Sequence, residues 1–142
     1  MNKFLDLSSK YYLNKENIFG DSVRFHHLGI ILREVKSTKY SKLKFILDPI
    51  QKVYVAFYEI HDLVIEIVVP VSEKSPIVNA LKQKTFYHHI CFSVPNIDNA
   101  IKTSSKYGIR RISPISPAAA FDDRSICWCI GKNYGLMELI ER

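Results

Sequence analysis

Short runs of apolar residues dominate this chain, and their spacing predicts strands. The runs at 23–32 and 86–94 each contain an aromatic residue followed by a pair of histidines. The runs at 63–69 and 135–140 each hold one carboxylate among apolar neighbours. The order of histidine pair and then embedded carboxylate occurs twice, so the pattern predicts two copies of one structural module.

The first module is predicted over about residues 23–70. Residues 53–60 alternate between the two faces of a strand and are expected to form a hairpin with 63–69. Residues 44–47 indicate a further short strand. Residues 33–42 are polar and lysine-rich, so they predict at most two or three helical turns. The order is therefore βαβββ with a shortened or missing helix.

The second module is predicted over about residues 86–142 and has the same order with a complete helix. Asn96 is the expected cap of a helix over 97–107, and Gly108 ends that helix. The remaining predicted elements are a short strand at 109–112, a loop at 113–123, and a hairpin formed by 124–131 and 136–141.

Two segments lie outside the modules. Residues 1–22 predict an N-terminal extension in which Ser8 or Ser9 caps a short helix. Between the modules, Ser75 is the expected N-cap of a helix over 77–82, because Pro76 follows it. Residues 23–142 are then expected to form one domain of the α+β class.

The composition fits this assignment. The chain has 142 residues, of which 47% are hydrophobic and 24% charged, so it can bury a sizeable core. No apolar run reaches the length of a membrane span, and residues 1–10 lack the apolar centre of a signal peptide. Cys91, Cys127 and Cys129 lack CxxC spacing, and we expect them to be reduced thiols in a cytoplasmic protein.

The net charge of +6 comes from scattered lysines and not from one basic block. No basic helix, zinc-finger spacing or RNA-binding aromatic motif accompanies it, so neither nucleic acid nor a membrane is a predicted partner. A solvated basic surface is one interpretation of the charge. A small anionic substrate is the functional interpretation.

Strand parity separates the two histidines of each pair, because alternate residues point to opposite faces of a sheet. His27 and His89 share a parity with small or polar residues, which predicts that they face a cavity. His26 and His88 share a parity with large apolar residues. The latter two are expected to pack, or to orient the cavity-facing pair without binding a metal themselves.

The embedded carboxylates predict a metal site. A buried, unpaired and ionised carboxylate costs several kcal/mol, so Glu66 and Glu138 need a partner. A lone histidine or glutamate on a strand is more often a packed core residue, but the repeat places all four in equivalent positions. His27, Glu66, His89 and Glu138 are therefore the predicted ligands of one divalent ion, and Zn, Co, Ni, Mn and Fe all suit this donor set.

At these residues the chain resembles the vicinal oxygen chelate superfamily of glyoxalases, bleomycin resistance proteins and dioxygenases, and most closely its methylmalonyl-CoA epimerase-like members. The matching stretches are 26–32, 51–57, 65–70, 75–77, 88–94 and 135–139. The resemblance implies two paired βαβββ modules that form a curved mixed sheet around a metal-binding cavity. It also implies the four ligands chosen by parity, and a homodimer.

The activity implied by the resemblance is that of a metal-dependent isomerase or lyase, which removes a proton next to a metal-bound carbonyl. Glu138 or Glu66 is the candidate base, and an acyl-CoA is the candidate substrate. Gln51, Cys91 and Ser93 are candidate substrate contacts.

Two departures from the epimerase pattern keep alternatives open. Ile50 stands where the epimerase motif has a catalytic glutamate, and an isoleucine cannot accept a proton; Asp48, Gln51 and Glu59 are possible substitutes. The first helix is too short, and residues 11–18 are a possible replacement for it. The alternatives are a non-catalytic small-molecule binding protein on the same fold and a glyoxalase I-type lyase. An extradiol dioxygenase is less favoured because of the fourth ligand.

Overall fold

A computed structural model describes residues 14–142, and nine strands in that part of the chain form one mixed sheet. The strands of the first half are β1 (Arg24–Ile31), β2 (Ile46–Asp48), β3 (Val53–Ile60) and β4 (Leu63–Pro70). Those of the second half are β5 (Tyr87–Val94), β6 (Ile109–Arg111), β7 (Ser116–Ala118), β8 (Arg124–Gly131) and β9 (Gly135–Glu141). The α-helices in the described part are α1 (Val78–Lys82) and α2 (Ile97–Ser104).

The order of strands in the sheet shows the two predicted modules side by side. The path runs β2-β3-β4-β1-β5-β9-β8-β6, and β7 pairs with β8. β1 is parallel to β4, and β5 is parallel to β9. β1 and β5 are antiparallel neighbours at the centre and join the modules. The four strands that carry the repeated histidines and carboxylates are therefore adjacent, as the predicted fold requires.

The helix of the first module is absent, as its short connecting segment predicts. Between β1 and β2 the chain forms a single 3₁₀ turn, Lys39–Lys42, which the Thr38 side chain caps by accepting the Tyr40 N–H. Apolar residues of this segment cover the outer face of the first module by packing on Ile30, Ile65 and Ile67. The covering residues are Val35, Tyr40, Leu43 and Phe45.

The prediction that residues 11–18 replace this helix is wrong where the structure tests it. Ile18 packs with Phe19 against the core of the second module, beside Ile97 and Leu139, and not against the first. Residues 11–13, and the predicted cap at Ser8 or Ser9, lie outside the described residues. The segment between β1 and β2 already supplies the apolar cover, so the first module has no uncovered face for the extension to occupy.

Two local predictions also need correction. Helix α1 has Ile77 and not Ser75 as its N-cap, and the buried Ser75 hydroxyl has no hydrogen-bond partner among the described residues. Ser75 lies instead in a backbone turn, where its carbonyl accepts the Val78 N–H. The predicted loop at 113–123 contains β7 and a 3₁₀ turn, Ala119–Phe121. Within this segment Ala118 is buried in a core cluster with Phe121, and Ala120 packs against the core of the first module, whereas Ala119 is exposed.

The second module follows its prediction closely. The Asn96 side chain accepts the Asn99 N–H at the start of α2. The helix tightens into a 3₁₀ turn and ends at Gly108, whose φ of +74° suits a glycine. Within residues 14–142, no helix is both long enough and apolar enough to cross a membrane.

Candidate metal centre

Four adjacent strands bring the predicted ligands to one point. β1 carries His27, β4 carries Glu66, β5 carries His89 and β9 carries Glu138. The Nε2 atoms of the two histidines are 3.2 Å apart. His27 Nε2 lies 3.3 Å from an oxygen of each glutamate, and His89 Nε2 lies 3.2 Å from the same two oxygens. The sheet therefore brings two imidazole nitrogens and two carboxylate oxygens together at one point.

This arrangement fits a divalent metal ion. All four side chains are buried, and their donor atoms lie within 4.8 Å of one another. A tetrahedral shell with bonds of about 2.0 Å has edges of about 3.3 Å, close to the distances between these atoms. The Glu138 Oε2 atom is buried and accepts no hydrogen bond of acceptable geometry from the described residues. This oxygen is therefore available to coordinate a cation.

The charges of the cluster favour the same conclusion. Burial would raise the pKa of Glu66 and Glu138, but close contacts to His27 and His89 outweigh burial and lower both values. Burial lowers the pKa of His27, but the carboxylates of Glu138 and Glu66 raise it to about 9. The pKa of His89 is raised in the same way. Without a metal the cluster therefore holds protons on its histidines, and a divalent ion would replace that positive charge.

His27 and His89 both point to the donor cluster, although only His89 lines the cavity, whereas strand parity gave the wrong orientation for their neighbours His26 and His88. The pairing of β1 with β5 shifts register at two places, between Phe25 and His27 and between Gly29 and Ile30. At these shifts His26 is an extra residue on β1, and His88 is an extra residue on β5. A β-bulge re-aims a side chain, so simple alternation fails there.

His26 and His88 each contact the histidine that follows them in the chain. His26 Nδ1 lies 2.8 Å from His27 Nδ1, and His88 Nδ1 lies 2.8 Å from His89 Nδ1. Burial and then the neighbouring His27 lower the pKa of His26. Burial and then His89 lower the pKa of His88 to about 4. Both outer imidazoles are therefore neutral at physiological pH and can accept a hydrogen bond.

Gly29 is required by the position of the His89 ring. These residues are register partners on β1 and β5, and the ring lies directly over the glycine backbone. A Cβ added at Gly29 would come within 2.0 Å of His89 Cε1. The glycine thus leaves the space in which the second module's histidine reaches the donor cluster.

Aromatic side chains surround the histidines. Phe57 and Trp128 are the register partners of Glu66 and Glu138, on β3 and β8. The His27 ring contacts Phe57 edge-on, and the His89 ring contacts Trp128 edge-on with centroids 4.7 Å apart. Phe121 stacks on His27 at 5.7 Å. These rings limit the rotation of both predicted ligands.

Sequence reasoning missed Trp128 and Phe121 as parts of the site. The signal for Trp128 was available, because the predicted hairpin of 124–131 with 136–141 places it opposite Glu138. Phe121 lies in the segment predicted as a loop, and no periodicity marks its direction. Its contact with His27 depends on the 3₁₀ turn that the sequence did not reveal.

A cavity of about 360 Å³ opens onto the donor cluster. Glu66, His89 and Glu138 line it, whereas His27 is fully buried behind them. Its walls are mostly aliphatic and aromatic, and they include Val53, Val55, Val68, Ile126, Leu136 and Trp128. No lysine or arginine of the described residues lines it.

Gln51 is the predicted substrate contact that reaches this cavity. Its side-chain oxygen accepts the Trp128 Nε1–H at 3.1 Å, which links the two modules across the cavity wall. Cys91 is fully buried and packs against residues that include Phe121 and Ile126, away from the cavity surface. Ser93 is also buried, and its hydroxyl accepts a hydrogen bond from Arg142.

The position of the missing epimerase base lies outside the cavity wall. The Ile50 side chain is 53% exposed and does not line the cavity. Asp48 does line it, and its Oδ1 accepts the N–H groups of Ile50 and Gln51. Glu59 is exposed on β3 and does not reach the cavity. Of the substitutes named from the sequence, Asp48 and Gln51 are the two that face the site.

The sequence profile of the Glyoxalase/Bleomycin resistance protein/Dioxygenase superfamily matches residues 26–128, which is most of the chain. The chain belongs to this superfamily. The fold of the superfamily commonly binds a divalent metal ion, and the cluster of His27, Glu66, His89 and Glu138 is a possible site for one. A search of curated protein sequences gives no match.

Solved structures place this superfamily member near the epimerases in fold. A hypothetical protein from Bacillus halodurans C-125 is 28% identical with a TM-score of 0.68, and the match covers 85% of this chain and 95% of that one. Methylmalonyl-CoA epimerase from Mycobacterium tuberculosis is 19% identical with a TM-score of 0.63, covering 82% and 86%. A Streptomyces coelicolor methylmalonyl-CoA epimerase in complex with 2-nitronate-propionyl-CoA is 19% identical with a TM-score of 0.64, covering 83% and 93%. At 19% identity, the similarity to the epimerases shows a common fold and nothing beyond the fold.

Proposed function

We propose that the protein is a divalent-metal-dependent isomerase or lyase that removes a proton next to a carbonyl, in the manner of methylmalonyl-CoA epimerase. The observation that carries the proposal is the convergence of two imidazole nitrogens and two carboxylate oxygens beside an apolar cavity. A divalent ion held by His27, Glu66, His89 and Glu138 supplies Lewis acidity, which stabilises negative charge developing on a carbonyl oxygen by several kcal/mol.

The carboxylates of the cluster are the proposed proton acceptors. Glu138 is the first choice because it lines the cavity and its Oε2 accepts no hydrogen bond from the described residues. Glu66 also lines the cavity and is the second choice. A base must come within about 3 Å of the proton it removes, so the carboxylate that acts as the base would leave the metal ion and turn toward the substrate in the cavity.

An acyl-CoA is the proposed substrate class. The cavity has room for an acyl group and its thioester, whereas the nucleotide portion would stay at the surface. There the net charge of +6 favours phosphate groups. The Gln51 oxygen already accepts the Trp128 N–H, so its amide nitrogen remains as a donor toward a substrate oxygen. Neighbouring apolar walls would exclude water from the reacting carbon.

One observation favours a second candidate, a glyoxalase I-type lyase. Glu66 and Glu138 together would neutralise a divalent ion, and no lysine or arginine of the described residues lines the cavity. A malonyl carboxylate would enter without a balancing charge. The adduct of a 2-oxoaldehyde with a thiol offers uncharged oxygens instead, and it therefore fits the charges of the cavity better.

Metal analysis followed by deuterium exchange tests the proposal. The metal-loaded protein is incubated in D₂O with methylmalonyl-CoA and, separately, with the hemithioacetal of methylglyoxal and glutathione. Exchange into methylmalonyl-CoA supports an epimerase, and exchange or isomerisation of the hemithioacetal supports a lyase. Glu138→Gln and His89→Ala serve as inactive controls. Bound metal with exchange into neither substrate would favour the non-catalytic binding protein.

We also propose that the protein is a homodimer. The edge strands β2 and β6 are only three residues long, so exposed edges are a weaker reason for pairing than we expected. Exposed apolar side chains are a better one: Tyr87 is 70% exposed, and Phe25, Phe86 and Ile90 are also exposed. Light scattering at high micromolar concentration tests this, and a monomeric mass would contradict it.

A cytoplasmic location remains part of the proposal. Its support is that Cys91, Cys127 and Cys129 are free thiols in the structure, as expected for a reducing compartment.

A further inference from the structure

We propose that His26 and His88 are positioning residues that fix the tautomer and ring orientation of His27 and His89. The inference deepens the proposed function, since it rests on these two residues being metal ligands. Each outer histidine accepts the Nδ1–H of the ligand that follows it. The ligand then presents its Nε2 lone pair to the centre of the cluster.

The same contact between adjacent histidine rings occurs in both modules. Both Nδ1–Nδ1 distances are 2.8 Å, which is a hydrogen-bond distance for two ring nitrogens that share one proton. The opposite nitrogens, Nε2 of His27 and of His89, are those that face each other and the carboxylates. One nitrogen of each inner ring is therefore engaged by the outer histidine, and the other by the cluster.

Proton placement follows from this arrangement. An imidazole that binds a metal through Nε2 carries its proton on Nδ1. The inner histidine is then the donor across each 2.8 Å contact, so the outer histidine accepts through a bare Nδ1. The outer ring must carry its own proton on Nε2. Each pair is thus expected in a single tautomeric state, with the protons of all four rings assigned.

The bulges explain how adjacent residues of one strand make such a contact. In a regular strand the side chains of His26 and His27 would lie on opposite faces of the sheet. The register shifts make the first histidine of each pair an extra residue, and its side chain is turned toward its neighbour. A bulge disrupts the hydrogen-bond ladder locally, yet the same departure occurs in both modules, beside the same residue type.

Aromatic neighbours hold the outer rings in place. His26 contacts Phe121 edge-on, with centroids 5.4 Å apart. His88 contacts Trp128 at 5.9 Å, and it also lines the cavity. A ring that served only to fill space would need neither a defined nitrogen nor a defined tautomer. This difference separates positioning from packing.

Leucine and asparagine form a matched pair for the test. Both side chains branch at Cγ, so each places a δ atom near the position of the histidine Nδ1. Asparagine offers an acceptor oxygen there, whereas leucine offers a methyl group. His26→Leu and His88→Leu therefore remove the acceptor, and His26→Asn and His88→Asn restore it with the same number of side-chain heavy atoms as leucine.

The first measurement is metal affinity by competition with a chromophoric chelator. Each leucine variant is expected to bind Zn²⁺ about 10–100-fold more weakly than the wild type, as is typical when an outer partner of a metal ligand is lost. Each asparagine variant is expected to stay within about threefold of the wild type, since the acceptor is restored. Equal affinity in the leucine and asparagine variants would overturn the proposal.

The second measurement is proton NMR of the Co²⁺-loaded protein. The wild type should show two strongly shifted, exchangeable imidazole N–H signals, one from each inner histidine. His88→Leu should speed solvent exchange of one signal and leave the other unchanged, and His26→Leu should do the reverse. A packing role would not select one N–H signal.

If a leucine variant does not fold, nitrogen-15 NMR of the Zn²⁺-loaded wild type tests the same tautomers without any mutation. The expected result is Nδ1–H at His27 and His89, and Nε2–H at His26 and His88. A proton on Nδ1 of His26 or His88, with His27 and His89 still bound to Zn²⁺ through Nε2, would overturn the inference while leaving the proposed function intact. A wild type that binds neither Zn²⁺ nor Co²⁺ would overturn the proposed function and this inference with it.

Discussion

The two modules bring equivalent donor side chains to the candidate site, but different elements cover their outer faces. In the second module, α2 packs on the outer face of the sheet through Ile97 and Ala100. In the first, an irregular segment with one 3₁₀ turn covers that face. The donor distances are nevertheless almost the same, at 3.3 Å for His27 and 3.2 Å for His89. The inner strands and their bulges therefore set the site, and the outer cover serves to bury the apolar face.

The modules also differ in the residue two positions after each inner histidine. Gly29 follows His27 and lies beneath the His89 ring, whereas Cys91 follows His89 and is the register partner of His27. The second module's histidine thus depends on a space in the first module. The first module therefore supplies its own donor, His27, and also the space that the second module's donor, His89, requires.

Removal of either inner histidine should give the largest effect. His27→Ala and His89→Ala each delete one of four donors, and we expect metal affinity to fall more than about a hundredfold in both, beyond the loss typical of an outer partner. Metal content measured by mass spectrometry after dialysis checks this. His26→Asn and His88→Asn are the controls that should retain metal. Retention by only one alanine variant would show that the modules contribute unequally.

The pH dependence of the metal-free protein should give the next largest effect. The pKa of His27 is raised from 6.5 to about 9, so its contribution to stability is complete below about pH 6.5 and is lost as pH rises through about 9. The shift corresponds to a loss of about 3 kcal/mol in the free energy of unfolding. His89 is shifted in the same direction and should add to the effect.

Urea unfolding at pH 6 and pH 9.5, with chelator present, measures this loss. The metal-loaded protein is the control, because metal binding requires neutral histidines and is favoured by the higher pH. The metal-free protein gaining stability over this range would contradict the charge assignment of the cluster.

Gly29→Ala should have a smaller but specific effect. A Cβ would overlap the His89 ring, so the ring must move or the strands must separate, at a cost of about 1–3 kcal/mol. Metal affinity should fall together with stability. Cys91→Ala is the matched change in the other module, and it should leave metal affinity nearly unchanged. Similar losses in both variants would remove the asymmetry between the modules.

Ile50→Glu should have the smallest effect. The Ile50 side chain is exposed and does not line the cavity, so a carboxylate there is not placed to remove a substrate proton. Deuterium exchange should match the wild type within about twofold, well below the 10²–10⁴-fold contributed by a positioned base. Asp48→Asn changes a group that does line the cavity and should reduce exchange more. A large gain in Ile50→Glu would show that the turn carrying Ile50 closes on substrate.

The sequence predicted the strands and the four side chains that converge at the candidate site, because both depend on local chemistry. Glu66 and Glu138 stand out as charges in apolar strands, and the repeat identifies His27 and His89 as their counterparts. The bulges at His26 and His88 were not predictable in this way, since they arise from the register between β1 and β5. Local pattern defines which strand a residue occupies, whereas pairing defines which way it faces.

Contacts between distant segments account for the other differences. Phe121 reaches His27 through a turn in the segment that was predicted as a loop. Ile18 and Phe19 pack on the second module although they directly precede the first. Hydrophobic periodicity does not reveal either contact, because the contacting residues lie far apart in the sequence and meet only in the folded chain.

Trp128 gives the site a built-in optical probe. It is the single tryptophan of the chain, and its ring contacts the ring of His89 at 4.7 Å. A protonated imidazole quenches indole fluorescence by accepting an electron from the excited ring, whereas a neutral or metal-bound imidazole does so less. The fluorescence of Trp128 should therefore change if a metal ion replaces the proton on His89, so metal binding could be followed without any added dye.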